Sequence, residues 1–464
     1  MSTSTSLSPT PISTTFGDFT ADRFNTHMAG LPPSAPAWWI ERKRSAYAEF
    51  ASLPMPARTD ETWRFSSREH ISLSGFNSSA TGTHATSGTS GIEIGDAAAR
   101  LTFVDGKLSG RTPLSRDLAA SGIVVGTLLE GLTTHSELLR KHFMAQPQKL
   151  GSEKFAALHT AFIPDGAFIY VPRNVELKSP IVITHASTGA GSAVFPHTLV
   201  VAEENSRVTV VDVFVTLETG RADESADAKV VFDAFACGAN DLYAAHGASI
   251  NYAAAQLWSN RTLSFQLNST LVRRDARVQS LNLHLGGKQA RHESLSQLQA
   301  PGAFSEMLAV SVASSDQEFD QRTLQIHQAP NTRSDLLYKN ALLDTARTIF
   351  SGLIVVDPDA QKTDAYQSNR NLMLSDNADA SSLPGLEIQA NDVRCTHGAT
   401  TSRVDPSQLF YLESRGIPPA VARELLVFGF FEEVLNRLEN ESLHAVLIRL
   451  IELHFRRAWQ SPAK

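Results

Sequence analysis

The sequence predicts a mainly β protein whose long middle section is flanked by helical segments. Between residues 199 and 356, short runs of alternating apolar and polar residues follow one another, as in strands with one buried face. No helical pattern of ten residues interrupts these runs, which argues against a doubly wound parallel sheet. At 464 residues the chain is too long for one ordinary globular core unless the fold is elongated. A sandwich, a barrel and a solenoid therefore all remain open.

The composition excludes several classes of protein. Hydrophobic residues make up 42% of the chain and charged residues 19%, which is typical of a folded protein. The net charge of -7 gives no general attraction to nucleic acids or anionic membranes, and no apolar run is long enough to span a bilayer. The N-terminus lacks the pattern of a secretory signal, and the only two cysteines, Cys237 and Cys395, are far apart. We therefore expect a cytoplasmic protein without a disulfide bond and without a nucleic-acid or membrane partner.

The first 150 residues predict a disordered tail at 1–17 and a helical domain at 18–150. Apolar residues recur at helical spacing up to Phe50, and Leu53-Pro54-Met55-Pro56 ends that helix because proline removes a backbone donor. A Ser-, Thr- and Gly-rich stretch at 74–91 is typical of a flexible loop. Asp105-Gly106 predicts the turn of a small hairpin.

The remaining chain divides into a β core at 151–408 and a C-terminal helical domain at 409–464. Pro418-Pro419 predicts a helix start, and residues 443–459 form the pattern of an amphipathic helix. The helix after Pro418 has more apolar positions than one side of a small helical tail needs. These positions either pack against the last helix or form a docking face for another protein. They include Val427, Phe428, Phe430, Phe431 and Val434.

Standard catalytic signatures are absent from the sequence. There is no phosphate-binding loop, no dinucleotide-binding glycine motif, no H-E-x-x-H and no G-x-S-x-G. In a chain of this length, that absence favours a scaffold or binding role over a self-sufficient enzyme.

Cys395 and His397 form the most suggestive pair of side chains. On a strand, residues two apart point to the same face, so the thiol and the imidazole would lie side by side. Together they could hold a soft metal or part of an iron–sulfur cluster. Two ligands do not complete such a site, which would need a partner chain or a further residue such as Glu387 or Asp392. The alternative is a small buried thiol beside a hydrogen-bonded histidine.

A family resemblance rests mainly on the C-terminal third of the chain. Its order and spacing of motifs from about residue 345 to 435 closely resemble those of the SufB/SufD family of iron–sulfur cluster assembly proteins. Weaker similarity extends to Pro54-Met55-Pro56 and Glu61-Thr62-Trp63-Arg64 near the N-terminus. The motifs are Phe350-Ser351-Gly352, Ala360-Gln361-Lys362-Thr363-Asp364-Ala365, Pro384-Gly385-Leu386-Glu387-Ile388, Val393 to Thr400, and Ser414-Arg415-Gly416-Ile417.

Within the family, the chain resembles the SufD type rather than the SufB type. SufB-type members carry a cysteine in the stretch that matches Asn369 to Ser375, and this chain has none there. Cys395-Thr396-His397-Gly398 likewise stands where SufB-type members have a Glu-His-Glu-like sequence. The resemblance thus implies a chain that does not build a cluster alone.

The resemblance implies a fold, partners and site residues. The fold would be a right-handed parallel β-helix flanked by helical domains. SufB would pair with the β-helix end near Val393 to Thr400, and the ATPase SufC would dock on the C-terminal helices. His397, which could also bind metal, and Cys395 would belong to the cluster-assembly interface with SufB, where an iron–sulfur cluster is held only transiently. The SufC docking residues would be Pro418, Val427, Phe428, Phe430, Phe431 and Val434.

An alternative function is a β-solenoid carbohydrate-active enzyme. Such an enzyme needs paired carboxylates on one face of the solenoid. Asp316, Glu318 and Asp320 alternate in the sequence and could share a face, although no aromatic platform for a sugar accompanies them. The family resemblance instead implies a non-catalytic scaffold subunit.

Overall fold

The computed structural model describes residues 17–68, 71–76, 94–217, 232–438 and 441–460. The predicted tail at 1–17 lies outside the described residues except for Gly17, and the predicted loop at 74–91 lies outside them from residue 77 onward. The mainly β class is confirmed, because the described chain is a parallel β-solenoid with helices before and after it. Its right-handed winding stays a prediction. No described helix is long and apolar enough to cross a membrane.

Helices lie at both ends of the described chain. A short 3-10 helix at Glu61–Trp63 follows the first two of them, and α8 begins at the predicted proline pair. The helices are α1 (Ala21–Ala29), α2 (Ala37–Ser52), α3 (Arg116–Ala120), α4 (Leu128–Thr134), α5 (Ser136–His142), α6 (Glu153–Phe162), α7 (Pro406–Ser414), α8 (Pro419–Leu435) and α9 (Glu441–Gln460).

Two ten-stranded sheets form the walls of the solenoid. The first contains β1 (Ala99–Val104), β2 (Lys107–Thr112), β5 (Ile181–Ser187), β8 (Arg207–Thr216), β10 (Ser249–Leu257), β12 (Arg277–His284), β14 (Phe304–Ala313), β16 (Arg333–Leu342), β18 (Asp364–Met373) and β20 (Arg394–Arg403). The second contains β3 (Val124–Thr127), β4 (Ala167–Val171), β6 (Ala193–Val194), β7 (His197–Ala202), β9 (Ala234–Ala244), β11 (Thr262–Val272), β13 (Gln289–Leu298), β15 (Glu318–His327), β17 (Arg347–Val356) and β19 (Asp379–Ile388).

Each coil from β8 onward contributes one strand to each sheet, and neighbouring coils pair in parallel. The only antiparallel pairs among the described strands lie at the N-terminal end. There β2 pairs with β1 through the predicted Asp105-Gly106 turn, and β3 pairs with β4. At the other end, β19 and β20 each have one neighbour, β17 and β18 respectively.

One corner of the solenoid repeats a short motif that pattern reading of the sequence missed. A residue with positive φ donates its backbone N–H to the next coil, and the small residue after it is buried before the strand begins. Asparagine, aspartate and glycine suit the first position because they tolerate the left-handed conformation. The motif occurs at Asn205-Ser206, Gly247-Ala248, Asp275-Ala276, Gly302-Ala303, Asn331-Thr332 and Lys362-Thr363.

Two buried lysines join the N-terminal helices α2 and α6. Lys43 of α2 donates to the carbonyl of Ile163 at 2.6 Å, just past the end of α6. Lys154 of α6 donates to the carbonyls of Phe50 and Leu53 at 2.7 Å, at the end of α2. Each lysine thus satisfies carbonyls that the end of the other helix leaves unpaired. Burial lowers the pKa of Lys43 to about 7.

A buried ion network fastens the N-terminal region to the second sheet. Asp320 of β15 bonds to Arg322 at 2.6 Å and also to Arg291 of β13. Arg291 donates to the carbonyls of Thr62 and Leu150, at 2.9 and 2.6 Å. Burial acts to raise the pKa of Asp320, but the two guanidinium groups outweigh it and hold that pKa below its ordinary value. Asp320 is therefore ionised and fully paired inside the molecule.

The C-terminal helices α8 and α9 cover the outer face of the first sheet. Val427, Phe431 and Val434 are fully buried there, in one cluster with apolar residues of β14 and β16. Lys339 of β16 bonds to Glu433 and to the carbonyl of Phe430, both at 2.6 Å. Apolar contacts and ion pairs thus fix α8 to the solenoid.

We predict that Asp320→Asn lowers the free energy of unfolding by about 3–5 kcal/mol, because it leaves two buried guanidinium groups without their charge partner. Asp316→Asn is the matched control. Asp316 is exposed in a turn and pairs only with Lys288, so its loss should cost less than about 1 kcal/mol. Denaturant unfolding of the full chain measures both values.

The carboxylate of Asp320 also predicts that the stability of the fold depends on pH. The pKa of Asp320 in the folded state lies below the unfolded value of 3.8. Its contribution to the free energy of unfolding is therefore present above pH 3.8 and is lost as the pH falls through the folded pKa. Equal effects of the Asp316 and Asp320 substitutions at neutral pH would contradict the structural role of the network.

Candidate functional site

The candidate site lies at the open, C-terminal end of the solenoid. β19 and β20 are the last strands of their sheets, so each has one edge without a neighbour among the described residues. Such an edge presents unpaired backbone donors and acceptors, which favour pairing with another strand. Ile388, at the end of β19, is 41% exposed.

Cys395 and His397 both lie on β20 and share one face of it, as the spacing predicts. In the parallel register Cys395 pairs with Ala365 and His397 with Gln367, and both partners on β18 are buried inside the solenoid. The two side chains therefore belong to the inward face of the last coil, which no further coil covers in the described chain. Cys395 is half-buried and packs on a small apolar cluster that includes Ile354 and Ala365, whereas His397 is exposed.

The layer beneath this end consists of amide side chains. Gln367 donates to the carbonyls of Gly352 and Gly385 across the solenoid, at 3.3 and 3.1 Å. Ser382 of β19 donates to Asn369 at 2.6 Å, and Asn371 donates weakly to Thr401 of β20 at 3.4 Å. This polar floor was missed by sequence reasoning, although alternate residues Gln367, Asn369 and Asn371 on one strand are a readable signal.

The glycine of the Phe350-Ser351-Gly352 motif is explained by this floor. A Cβ on Gly352 would lie 2.5 Å from Oε1 of Gln367 and 2.7 Å from the ring of Phe350. Only glycine allows Gln367 to reach the opposite wall. The motif therefore shapes the last coils rather than supplying a reactive group.

The ionisation of Cys395 follows from its surroundings. Burial raises the pKa of the thiol, the carboxylate of Asp364 adds to that rise, and a backbone hydrogen bond from Ala365 partly opposes it. The isolated chain therefore presents mainly a neutral thiol at neutral pH. Cys237 is fully buried, donates to the carbonyl of Phe155, and has a pKa raised far above its ordinary value by burial. Both thiols are free.

The described residues do not complete a metal site around Cys395 and His397. No group of three or more His, Cys, Asp or Glu side chains in the described chain could hold a metal ion. Of the two suggested additional ligands, Asp392 pairs with Lys362 at 3.2 Å, and Glu387 accepts from Gln389 at 2.9 Å. Glu387 also belongs to the outward-facing set of residues on β19, because its side chain points away from the face that its neighbours present to the interior. The structure thus leaves this chain with two donors facing an open end.

The predicted docking residues of α8 have different environments. Pro418 is exposed and Phe428 and Phe430 are half-buried, but Val427, Phe431 and Val434 lie in the core. The last three pack α8 against the first sheet and α9, which is the packing alternative for these positions. The assignment of the six residues to SufC docking stays a prediction. Exposed apolar side chains instead lie on α7 and the other side of α8: Phe410 (72% exposed), Tyr411 (56%), Val421 (44%) and Leu425 (49%).

The three alternating carboxylates do not form an open catalytic face. Asp320 is buried in the ion network, and Glu318 accepts from the backbone N–H and hydroxyl of Ser67 at 2.9 and 2.6 Å. Asp316 lies in a turn and pairs with Lys288. The carbohydrate-active alternative is therefore not favoured.

Fold and site together define a parallel β-solenoid whose last described coil carries a thiol and an imidazole on its inward face. Two family models match the chain: the SUF system FeS cluster assembly SufBD core domain over residues 184–430 and the SufBD protein N-terminal region over residues 21–183. The chain belongs to the SufBD family, which confirms the resemblance noted in the sequence.

Individual relatives cover almost the whole chain. The iron-sulfur cluster assembly protein SufD of Bacillus subtilis (strain 168) is 29% identical over 423 residues, covering 90% of this chain and 94% of the relative. The protein of the same name from Escherichia coli (strain K12) is 29% identical over 442 residues, covering 91% of this chain and 98% of the relative. The chain is thus similar to SufD proteins over about nine tenths of its length.

We predict that iodoacetamide modifies Cys395 but not Cys237 in the folded chain. Because its pKa is raised, Cys395 should react more slowly at pH 7 than a free cysteine, and its rate should rise with pH beyond the ordinary thiol pKa of 9.0. Mass spectrometry of the labelled chain measures both sites. A Cys395→Ser variant should take up label only after unfolding, and rapid labelling of Cys395 at pH 7 would contradict the assignment.

Proposed function

We propose that this chain is a SufD-type scaffold subunit that supports iron–sulfur cluster assembly together with SufB and the ATPase SufC. Family membership and the similarity to SufD proteins over about nine tenths of the chain support the assembly role. The observation that carries the proposal is the open coil end with Cys395 and His397 on its inward face. A cluster handled there is cargo and passes through the site.

Pairing with SufB would occur through the edges of β19 and β20. Strand edges favour pairing, because another strand satisfies their backbone groups and covers the end of the solenoid. Exposed Ile388 lies at this end. A partner strand placed here would bring further ligands to Cys395 and His397, which supply too few donors alone.

Docking of SufC would use the exposed side of α7 and α8. Phe410 and Tyr411 of α7 and Val421 and Leu425 of α8 are exposed apolar side chains, and the buried side of α8 is fixed to the solenoid. Aromatic and aliphatic side chains of this kind are typical anchors of protein interfaces. The rigid attachment of α8 through Lys339 and Glu433 would transmit force from an ATPase to the solenoid.

The chain would catalyse no reaction of its own. It would act in the cytoplasm. Its strongest pKa perturbations fall on groups buried in the core, such as Asp212 and His185, rather than on groups at the open end. The two free thiols are consistent with a reducing compartment. The chemistry of assembly would then belong to the complex.

The proposal predicts that His397→Ala leaves the complex with SufB and SufC intact but reduces cluster formation about tenfold or more, because one donor to the shared site is lost. Cluster formation is followed by the visible absorbance of the reconstituted complex. His246→Ala is the matched control, since His246 is also an exposed histidine of the solenoid, 47% exposed at a coil corner. Normal assembly by the His397→Ala complex would overturn the role of His397.

The docking surface predicts opposite outcomes for two residues of α8. Leu425→Asp should weaken SufC binding about tenfold without lowering the melting temperature, because it places a charge in an apolar contact. Phe431→Ala should instead cost about 3–5 kcal/mol of stability by opening a cavity in the core. Calorimetric titration with SufC and thermal unfolding separate the two effects. Leu453→Asp, at an exposed leucine of α9, is the control, and an equal loss of binding there would refute the surface.

A further inference from the structure

A cavity rich in arginine lies where the N-terminal region meets the second sheet. The cavity is broad and largely open to solvent, with a volume of about 860 Å³. Among the described residues, its lining includes four arginines, Arg58, Arg64, Arg68 and Arg347, and no carboxylate residue.

Phe65, which also lines the cavity, has a strained backbone. Its φ is 68°, in the left-handed region that bulky residues avoid. The strain does not serve to bury the ring, because Phe65 is 42% exposed. Instead it presents an aromatic ring to the cavity, with the guanidinium of Arg64 5.1 Å from the ring centroid. Strain of this kind is typical of functional positions.

The backbone on both sides of Phe65 is held firmly. Before it, the carbonyl of Arg64 accepts from Arg322 at 2.8 Å, and the indole of Trp63 donates to Gly151 at 2.7 Å. After it, the hydroxyl of Ser66 donates to Asp320 at 2.5 Å. The buried ion network thus holds the backbone on both sides of Phe65 and limits the positions that its ring can take.

The charged groups around the cavity orient its arginines. Arg347 bonds to Glu318 at 3.4 Å and to Asp379 at 3.0 Å, Arg64 pairs with Glu61 at 3.1 Å, and Arg68 donates to the carbonyl of Trp63 at 3.0 Å. These three carboxylates flank the cavity but are not part of its lining. Guanidinium groups held in this way suit a ligand with several phosphate oxygens, which they bind in a bidentate manner.

We propose that this cavity binds a nucleotide, with its phosphates on the arginines and its planar base against the ring of Phe65. Guanidinium groups recognise phosphate, and an exposed aromatic side chain provides a stacking surface for a base. Several residues of the site lie in or next to the Glu61-Thr62-Trp63-Arg64 motif. The motif therefore both attaches the N-terminal region to the second sheet and forms one wall of the site. The site lies on the second sheet, where Arg347 of β17 pairs with Asp379 at the start of β19.

The test is calorimetric titration of the full-length chain with ADP, pyrophosphate and adenosine. ADP should bind at one site per chain and more tightly than either fragment, because only ADP engages both the arginines and the ring. The Arg58→Gln, Arg64→Gln double variant should bind ADP about tenfold more weakly or worse. Arg333→Gln is the matched control, since Arg333 is exposed at a coil corner and outside the cavity, and it should leave binding unchanged.

Phe65→Gly separates the ligand role from a structural one. Glycine accepts the left-handed conformation, so the melting temperature should be kept or raised while ADP affinity falls and pyrophosphate affinity stays the same. No saturable ADP binding at millimolar concentration would overturn the proposal. An equal loss of ADP affinity in the Arg333→Gln control would also overturn it, as would pyrophosphate binding as tight as ADP binding. The same holds if Phe65→Gly lowers the melting temperature without changing ADP affinity.

Discussion

Backbone pairing between successive coils is the constraint on which this structure depends. Each strand of a parallel solenoid satisfies its donors and acceptors only if a coil lies on both sides of it. At the N-terminal end, the antiparallel strands β2 and β3 finish the two sheets. At the C-terminal end, β19 and β20 are left with one neighbour each, and Cys395 and His397 lie on that last coil. The same constraint thus produces the wall of the solenoid and the unpaired strand edges of its last coil.

Features with a strong local cause could be predicted from the sequence. The Asp105-Gly106 hairpin and the helix start at Pro418-Pro419 are confirmed, because turn and helix-start geometry depend on the residues themselves. The shared face of Cys395 and His397 is also confirmed, since strand alternation requires only that β20 exist. The solenoid and the sandwich could not be separated by periodicity alone. The corner motif that distinguishes them, as in Asn331-Thr332, is conformational and varies in residue type.

Burial explains most of what the sequence could not predict. Strand β13 begins Gln289-Ala290-Arg291-His292-Glu293, which shows little alternation in hydrophobicity. Both faces of this strand are buried, and the charged side chains on its outer face are paired with Asp320 and the N-terminal region. Asp320 consequently looked like an exposed carboxylate. Helix α8 is apolar on several sides, so its sequence could not show that Val427 and Phe431 contact the sheet while Leu425 faces solvent. Such assignments depend on contacts between segments far apart in the chain.

Hydrogen–deuterium exchange of this chain alone and with SufB tests the central claim most directly. If the open end is the interface, backbone amides of β19 and β20 exchange quickly in the isolated chain and become protected on binding, whereas those of β11 and β13 are protected in both states. Protection that appears elsewhere, with β19 and β20 unchanged by SufB, would contradict the account of the solenoid end as the site where the two scaffolds meet.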